Sequence, residues 1–473
     1  MLGIFGTLNL ASRSMQTQMT GVEVSGQNLA NVNTTGYSRQ RVQIATTPDL
    51  TTSIGQEGTG ASAVSIQQLV SNVLNNQIQS QSSTSGYWNS QQSALQGAQD
   101  ALAEFLSGSS ASGSTSTASD TSGTGLSTQL NSFFSAFSAL SSSGSTSNRQ
   151  AAISAGQALA ATFNNLDTQF GNLKTSLNSS LTSDVTSANS LLTGIANLNG
   201  EISTAEFSGG NANDLRDARE QDLENLAQLT SVTTSTGTGG AVNVMVGGQT
   251  LVSGNTVSDN LQTYDAGNGQ LLVQTMAGGV KLTLTGGSMQ GTIDARDNTL
   301  ATMQSSVNSL ASTLINQVNT IHNSGYNASG GTGNTFFTGS GAADIGVSST
   351  LTSDPSQLQL ASSSTTTGDT SLALKIANLA SAAQSTLNNA TFGDDYDSTV
   401  AGLGSALNTA NTQVTDQTQV TNMLATQRSS VSGVSVDEEM TNLMTFQRAY
   451  QASAQLVTTV NTMMGDLLAM KTS

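Results

Sequence analysis

Residues 4–29 read IFGTLNLASRSMQTQMTGVEVSGQNL. Ile4, Leu8, Ala11, Met15, Met19, Val22 and Leu29 recur at alternating three- and four-residue steps, broken only at Gly26, which is the pattern of a coiled-coil seam. The spacing predicts one amphipathic helix over 3–30. The opposite end repeats the pattern with Val436, Met440, Leu443, Tyr450, Ala454, Val457, Met464 and Leu468. There Ser435 and Glu438 have capping-box spacing, and Asp437, Glu438 and Glu439 put negative charge on the first turn, where the helix dipole favours it. Helices of this kind are marginal alone in water. The two termini are therefore expected to pack on each other and on neighbouring copies, which points to a polymer.

Working inward, Leu159, Phe163, Leu166, Phe170, Leu173 and Leu177 keep one heptad phase. The phase shifts by about one helical turn before Leu181, Val185, Ala188, Leu192, Ile195 and Ile202 resume it, so a very long helix with a stutter is expected. Leu300, Met303, Val307, Leu310, Leu314, Val318 and Ile321 predict a second helix, and Tyr396, Val400, Leu403, Leu407, Ala410 and Val414 a third. Residues 65–106 and 213–229 also read as helical. Between 232 and 284 the period changes to two: Val242, Val244 and Val246 alternate up to Gly247 and Gly248, Leu251 and Val252 come after, and Val280, Leu282 and Leu284 alternate again before Gly286 and Gly287. Ser107 to Gly125 is Ser/Gly/Thr-rich and reads as a surface loop.

The expected fold class is thus mainly α: a nested terminal coiled-coil domain and an elongated helical-bundle domain, with small antiparallel β insertions. The expected boundaries are 1–62 with 430–473 for the terminal domain, disordered in the monomer. Residues 63–230 with 290–429 make the helical bundle, 231–289 a small β insertion and 324–365 a loop/β segment.

Composition narrows the chemistry. The 473 residues suffice for several domains; only 9% are charged and 4% aromatic, and the net charge is −17. Lys174, Lys281, Lys375 and Lys471 are the only lysines, and the arginines are scattered, so no basic face for nucleic acid or an anionic membrane is expected. The absence of cysteine rules out disulfides and thiolate chemistry. The first fifteen residues do not read as a cleaved secretory signal, and no run approaches a membrane span.

Asn28-Leu29-Ala30-Asn31-Val32-Asn33-Thr34-Thr35-Gly36-Tyr37-Ser38-Arg39-Gln40 resembles the signature that ends the first helix in the flagellar axial proteins of rod, hook and hook-filament junction. Asn31 or Asn33 is expected to take a left-handed turn, Gly36 a second reversal, and Tyr37 to anchor the loop. The run Phe446-Gln447-Arg448-Ala449-Tyr450-Gln451-Ala452-Ser453-Ala454 is similar to the closing helix of the same proteins. Two internal strings narrow the resemblance to the first hook-filament junction branch. One is Leu215-Arg216-Asp217-Ala218-Arg219-Glu220 followed by Val242 to Gln249; the other is Val318 to Tyr326 with Gly330 to Asn334 and Phe336-Phe337 after it. Longer relatives carry an outer domain after such a phenylalanine pair, whereas Gly339 to Leu360 is short here, so a large outer domain is not expected.

The resemblance implies a secreted structural subunit, exported by the flagellar type III apparatus with an export chaperone. It is expected to form a helical ring of copies of itself between hook protein and the second hook-filament junction protein, with no nucleic acid, membrane or cofactor as partner. The assembly seams would be Ile4, Leu8, Ala11, Met15, Met19, Val22 and Leu29, and Val436, Met440, Leu443, Tyr450, Val457, Met464 and Leu468, the latter also binding the chaperone. The family motif would be Asn28, Ala30, Asn31, Thr34, Gly36 and Tyr37. Another axial protein, or a phage-tail or adhesin-like surface protein, is the alternative.

No catalytic set is readable. His322, the single histidine, reads as a helix-end packing residue. Asp394, Asp395 and Asp397 lack calcium-loop spacing and read as a solvated turn. The Gly-rich stretches at 237–240 and 330–333 fit no phosphate-binding pattern and read as turns. For Met440, Met444, Met463, Met464 and Met470 core packing is the first expectation and an adaptable contact surface the second.

Overall fold

The computed structural model describes residues 3–52, 55–106, 125–207, 209–366 and 368–472; the expected loop at 107–124 lies outside them. Helix α1 (Ile4–Ala30) leads into a β ribbon in which β1 (Gln40–Thr46) pairs antiparallel with β4 (Ala61–Gln68), and β2 (Leu50–Thr52) with β3 (Gly55–Glu57) at its tip. Helices α2 (Asn72–Leu106), α3 (Leu126–Ser142), α4 (Thr146–Phe207) and α5 (Asn213–Leu229) come next. The long helix expected from the heptads is α4, 62 residues without a break.

A four-stranded antiparallel sheet succeeds them in the order β5 (Val232–Thr236), β6 (Val242–Val246), β7 (Gln249–Ser253), β8 (Thr256–Val257), then a hairpin of β9 (Leu261–Asp265) and β10 (Leu271–Thr275). The chain returns to helix with α6 (Gly287–Asp294), one π-helical stretch at Ala295–Leu300, and α7 (Ala301–Asn323). Beyond α7 the elements are short: β11 (Phe337–Thr338) paired with β12 (Gly346–Val347), α8 (Ser349–Ser353) and α9 (Ser371–Asn378). Helices α10 (Phe392–Ser432) and α11 (Val436–Thr472) close the chain.

Two apolar cores share α4. The first gathers Leu159 to Leu177 with α3, α7, α9, α10 and the Phe133, Phe137, Phe336, Phe337 ring cluster; the second gathers Leu181 to Ala196 of the helix with α5, α6 and the strands. The heptad shift between Leu177 and Leu181 is therefore where the helix passes from one core to the other: inserting a turn re-aims its apolar stripe. The helix opposite makes the same adjustment at the same height. Arg296, in the π-helical stretch, is 2% exposed and donates from Nη1 to Asn178 Oδ1 at 2.6 Å and Leu271 O at 2.7 Å, while Asp297 accepts from its Nε and Nη2. The residue that a π-helical turn inserts rotates the face that α7 presents to the core.

Two expectations need correction. The helix placed at 65–106 begins at Asn72, because Ile66 faces Val42 across the ribbon and residues 65–68 complete β4. That ribbon was not anticipated. The run Val280 to Leu284 forms no strand beyond a single bridge at Lys281: Thr275 donates to Val280 O and Leu282 to Val273 O, and then Gly286 and Gly287 turn the backbone beneath Thr230. Gly287 has φ +79°, and a Cβ there would lie 2.3 Å from the Thr230 nitrogen, so only glycine fits. In place of an outer domain, Ala342, Ile345, Leu351, Leu358 and Leu360 are buried in the first core.

Candidate assembly surface

Helices α1 and α11 pack against each other along small residues. On α1 the buried line is Ala11, Thr17, Gly21, Val24, Ser25 and Asn28. On α11 Glu439 and Val460 are buried, with Phe446, Ser453 and Val457 half-buried between them. Ser14 Oγ meets Ser453 Oγ at 2.8 Å, and a Cβ at Gly21 would sit 2.6 Å from the Phe446 ring. Close approach of this kind needs side chains with little bulk, and it rotates the larger residues to the flanks. Of the predicted seams, Ala11 is buried, Ile4, Leu8, Met15, Val22, Leu29, Leu443, Val457 and Met464 are half-buried, and Met19 (53%), Val436, Met440, Tyr450 and Leu468 (64%) are exposed. Core packing of the C-terminal methionines is overturned, since Met440, Met444, Met463 and Met470 face outward and Met464 is half-buried. The terminal pair thus presents an apolar flank that its own chain leaves open.

The loop after α1 is organised by Asn28. Its Nδ2 donates to Gln40 O at 2.8 Å, while its Oδ1 accepts from Gln40 N and from Tyr37 Oη, both at 2.9 Å, and the residue is 1% exposed. Tyr37 is the anchor expected, its hydroxyl pushed up to about 12 by burial and then by Asp214 and Asp217. Gly36 makes the reversal at φ +83°. The left-handed turn expected at Asn31 or Asn33 is not made: Asn31 has φ −101° and caps the helix by donating from Nδ2 to Gln27 O. Thr34 Oγ1 donates to Asn31 Oδ1, and Ala30 is exposed. Arg39 closes the loop onto the other terminus, donating from Nε to Glu439 and from Nη1 to Glu438, the acid of the expected capping box.

Each of the internal strings marks a polar lock. In α5, Asp217 accepts from Ser38 N, Ser38 Oγ and Gln68 Nε2, Arg216 pairs with Glu206, and Arg219 donates to Asn199 Oδ1 and Gly240 O. Asn199 also holds Val242 N, at the head of the second half of that string. Farther along, Asn319 Oδ1 accepts from the backbone of both Phe336 and Phe337, seating the pair in the first core.

The family described as "Flagellar hook-associated protein FlgK helical domain" matches residues 111–337, and "Flagellar basal body rod FlgEFG protein C-terminal" matches 429–470. Similar along nearly all their length are two proteins called flagellar hook-associated protein 1. The one from Bacillus subtilis is 26% identical over 97% of this chain and 96% of its own; the one from Salmonella typhimurium is 25% identical over 98% and 99%. The chain belongs to the flagellar hook-associated protein 1 family. A solved structure described as the flagellar hook junction protein FlgK from Burkholderia pseudomallei aligns at TM-score 0.48 and 26% identity, covering 56% of this chain and 46% of that one.

In this hook-associated chain the groups that suggest chemistry serve the fold. His322 is fully buried; its Nδ1 donates to Asn334 O at 2.6 Å and its Nε2 accepts from Gln359 N at 3.1 Å, so the neutral ring is held and burial pulls its pKa down to about 4. Asp394 and Asp395 lie in the first turn of α10 rather than in a solvated turn, and Thr391 caps that helix by accepting from Asp394 N. Among the described residues no group of acids and histidine is arranged for a metal, and no helix is long and apolar enough to cross a membrane. What residue reading missed is the ribbon and its partners on α5: β1 and β4 carry two alternating apolar residues each, Val42 with Ile44 and Val64 with Ile66, which is a faint strand signal among glutamines and serines.

Proposed function

We propose that this chain works by carrying its outward apolar flank on α1 and α11 into contact with other copies and with the neighbouring axial proteins. As a member of the hook-associated protein 1 family it is a structural component of the bacterial flagellum, at the junction of hook and filament. The observation that supports the mechanism is the exposure of Met19, Met440, Met444 and Tyr450 on a helix pair whose own contact runs along the small residues of α1. Burial of that flank, rather than ion pairing, is the driving force of assembly in this reading, since only 9% of residues are charged. Hook protein below, the second hook-filament junction protein above and like copies alongside are the proposed partners, reached by export through the flagellar type III apparatus.

Immunogold electron microscopy on intact flagella tests the placement: label at the hook-filament boundary is expected, and label along the filament or on the envelope would refute it. The export chaperone is proposed to bind α11 through the same apolar residues. Deleting residues 436–473 should abolish that complex, while added salt should barely weaken it, because screening acts on exposed charge and not on apolar burial. A steep loss of affinity with salt, measured by titration calorimetry, speaks against this binding mode.

A further inference from the structure

The terminal helix pair meets the rest of the chain through polar contacts. Among the described residues, none of the apolar clusters includes a residue of α1, the ribbon or α11. The backbone passes between the two parts only at 69–71 and 433–435, the segments that link β4 to α2 and α10 to α11. Arg39 bridges these passages, its N–H donating to Ser432 O and its carbonyl accepting from Leu69 N, both at 2.8 Å.

The other hydrogen bonds from the loop and ribbon converge on the first turns of α5 and on Asn211 just before it, whose Nδ2 donates to Ile66 O at 2.8 Å. Ser38 N and Oγ reach Asp217 at 2.9 and 2.7 Å, and Gln68 Nε2 reaches it at 2.8 Å. Gln40 Nε2 donates to Asp214 at 2.7 Å, Gln27 Nε2 more weakly at 3.4 Å, and Asn213 Nδ2 bonds Gln40 Oε1 and Ile66 O. Helix α1, the loop after it and both long strands of the ribbon thus deliver donors to two carboxylates one turn apart. Such a joint fixes direction, because several hydrogen bonds to charged acceptors allow only one relative orientation.

We infer that Asp217 is a positioning residue for assembly: it locks the loop after α1 to α5 and so sets the angle at which the terminal helices leave the middle of the molecule. The two family-like strings, Asn28 to Gln40 and Leu215 to Glu220, are on this account the two halves of one joint. The inference rests on the assembly role proposed above, and adding purified full-length chain to isolated flagellar hooks separates the two. If the parent chain does not bind hooks, the assembly role itself is wrong.

With a binding parent, Asp217→Asn should lose hook binding while unfolding at the parental temperature. The reason is that an amide keeps one acceptor and turns a donor toward the Ser38 and Gln68 donors. Normal binding by Asp217→Asn overturns the inference, as does a fall in its unfolding temperature, which would make the residue merely structural. The chain has no cysteine of its own, which permits a rescue. The double variant Ser38→Cys, Asp217→Cys should fail to bind hooks when reduced and recover when its thiols are joined by a short dithiol-bridging reagent. Binding by the reduced form, or failure of the bridged and folded form, would each overturn the inference.

Discussion

His322 shows how a side chain that invites a chemical reading is spent on packing. Its ring bonds Asn334 and Gln359 and lies against Phe336 at 5.9 Å between centroids, so it ties two segments to the end of α7. The folded chain holds the ring neutral down to about pH 4, whereas the unfolded chain protonates it near the ordinary 6.5. Between those values the unfolded state binds the extra proton, so stability from this residue is complete above about pH 6.5 and is lost as pH falls toward 4. The two values imply roughly 3 kcal/mol at about 1.4 kcal/mol per pKa unit. Thermal unfolding followed by circular dichroism from pH 7 to 4 should show a decline that His322→Asn flattens; equal slopes in both proteins would remove the histidine from the account. At this scale the sequence was legible where one residue type does one job, as with Gly36 and Tyr37. It was not legible at Asn28, two of whose three bonds depend on the backbone of Gln40 returning twelve residues later.

Among elements, periodicity located the long helices well and their contact faces less well. The stutter in α4 was readable because Leu177 and Leu181 are each buried, in different cores, and a core demands a stripe. The matching π-helical stretch at Ala295–Leu300 left no comparable mark, since one inserted residue is absorbed by Arg296 and Asp297 without breaking the apolar spacing. On α1 and α11 the stripe of large residues drew attention away from Ser14, Gly21 and Ser453, which make the actual approach. Leu443 stands between the two, half-buried on α11 beside the contact line. Leu443→Asp should leave the middle of the molecule folded, with unfolding at the wild-type temperature. In the assembled seam it would bury an unpaired carboxylate at a cost of several kcal/mol. Cells carrying it are expected to secrete filament subunits into the medium, seen by immunoblot, rather than build filaments. Normal filaments would show that Leu443 lies outside the seam.

For the whole molecule, the decisive contrast is between a middle held by two apolar cores and a terminal pair attached to it by hydrogen bonds. Local stability tracks buried apolar contact, and segments whose contacts are few and polar open at lower free energy than the core around them. In α4 and α7 side chains such as Phe163, Leu166, Leu314 and Val318 are fully or almost fully buried, while α1 buries chiefly Ala11, Gly21, Val24 and polar residues, and α11 leaves Met444 and Met463 outward. The terminal helices of a dilute single chain, α1 and α11, are therefore expected to be unfolded for much of the time and to settle only when neighbouring copies cover their flank. Hydrogen exchange read by mass spectrometry distinguishes the possibilities peptide by peptide. Amides of 5–28 and 440–465 should exchange orders of magnitude faster than those of 159–202 and 303–321 in dilute solution, and slow down on assembly. Strong protection of 5–28 in the monomer would mean that the small-residue line between α1 and α11, with Arg39 and Asp217 behind it, holds the pair without help, so that subunits would reach the assembly site with their terminal helices already formed and their joint already set.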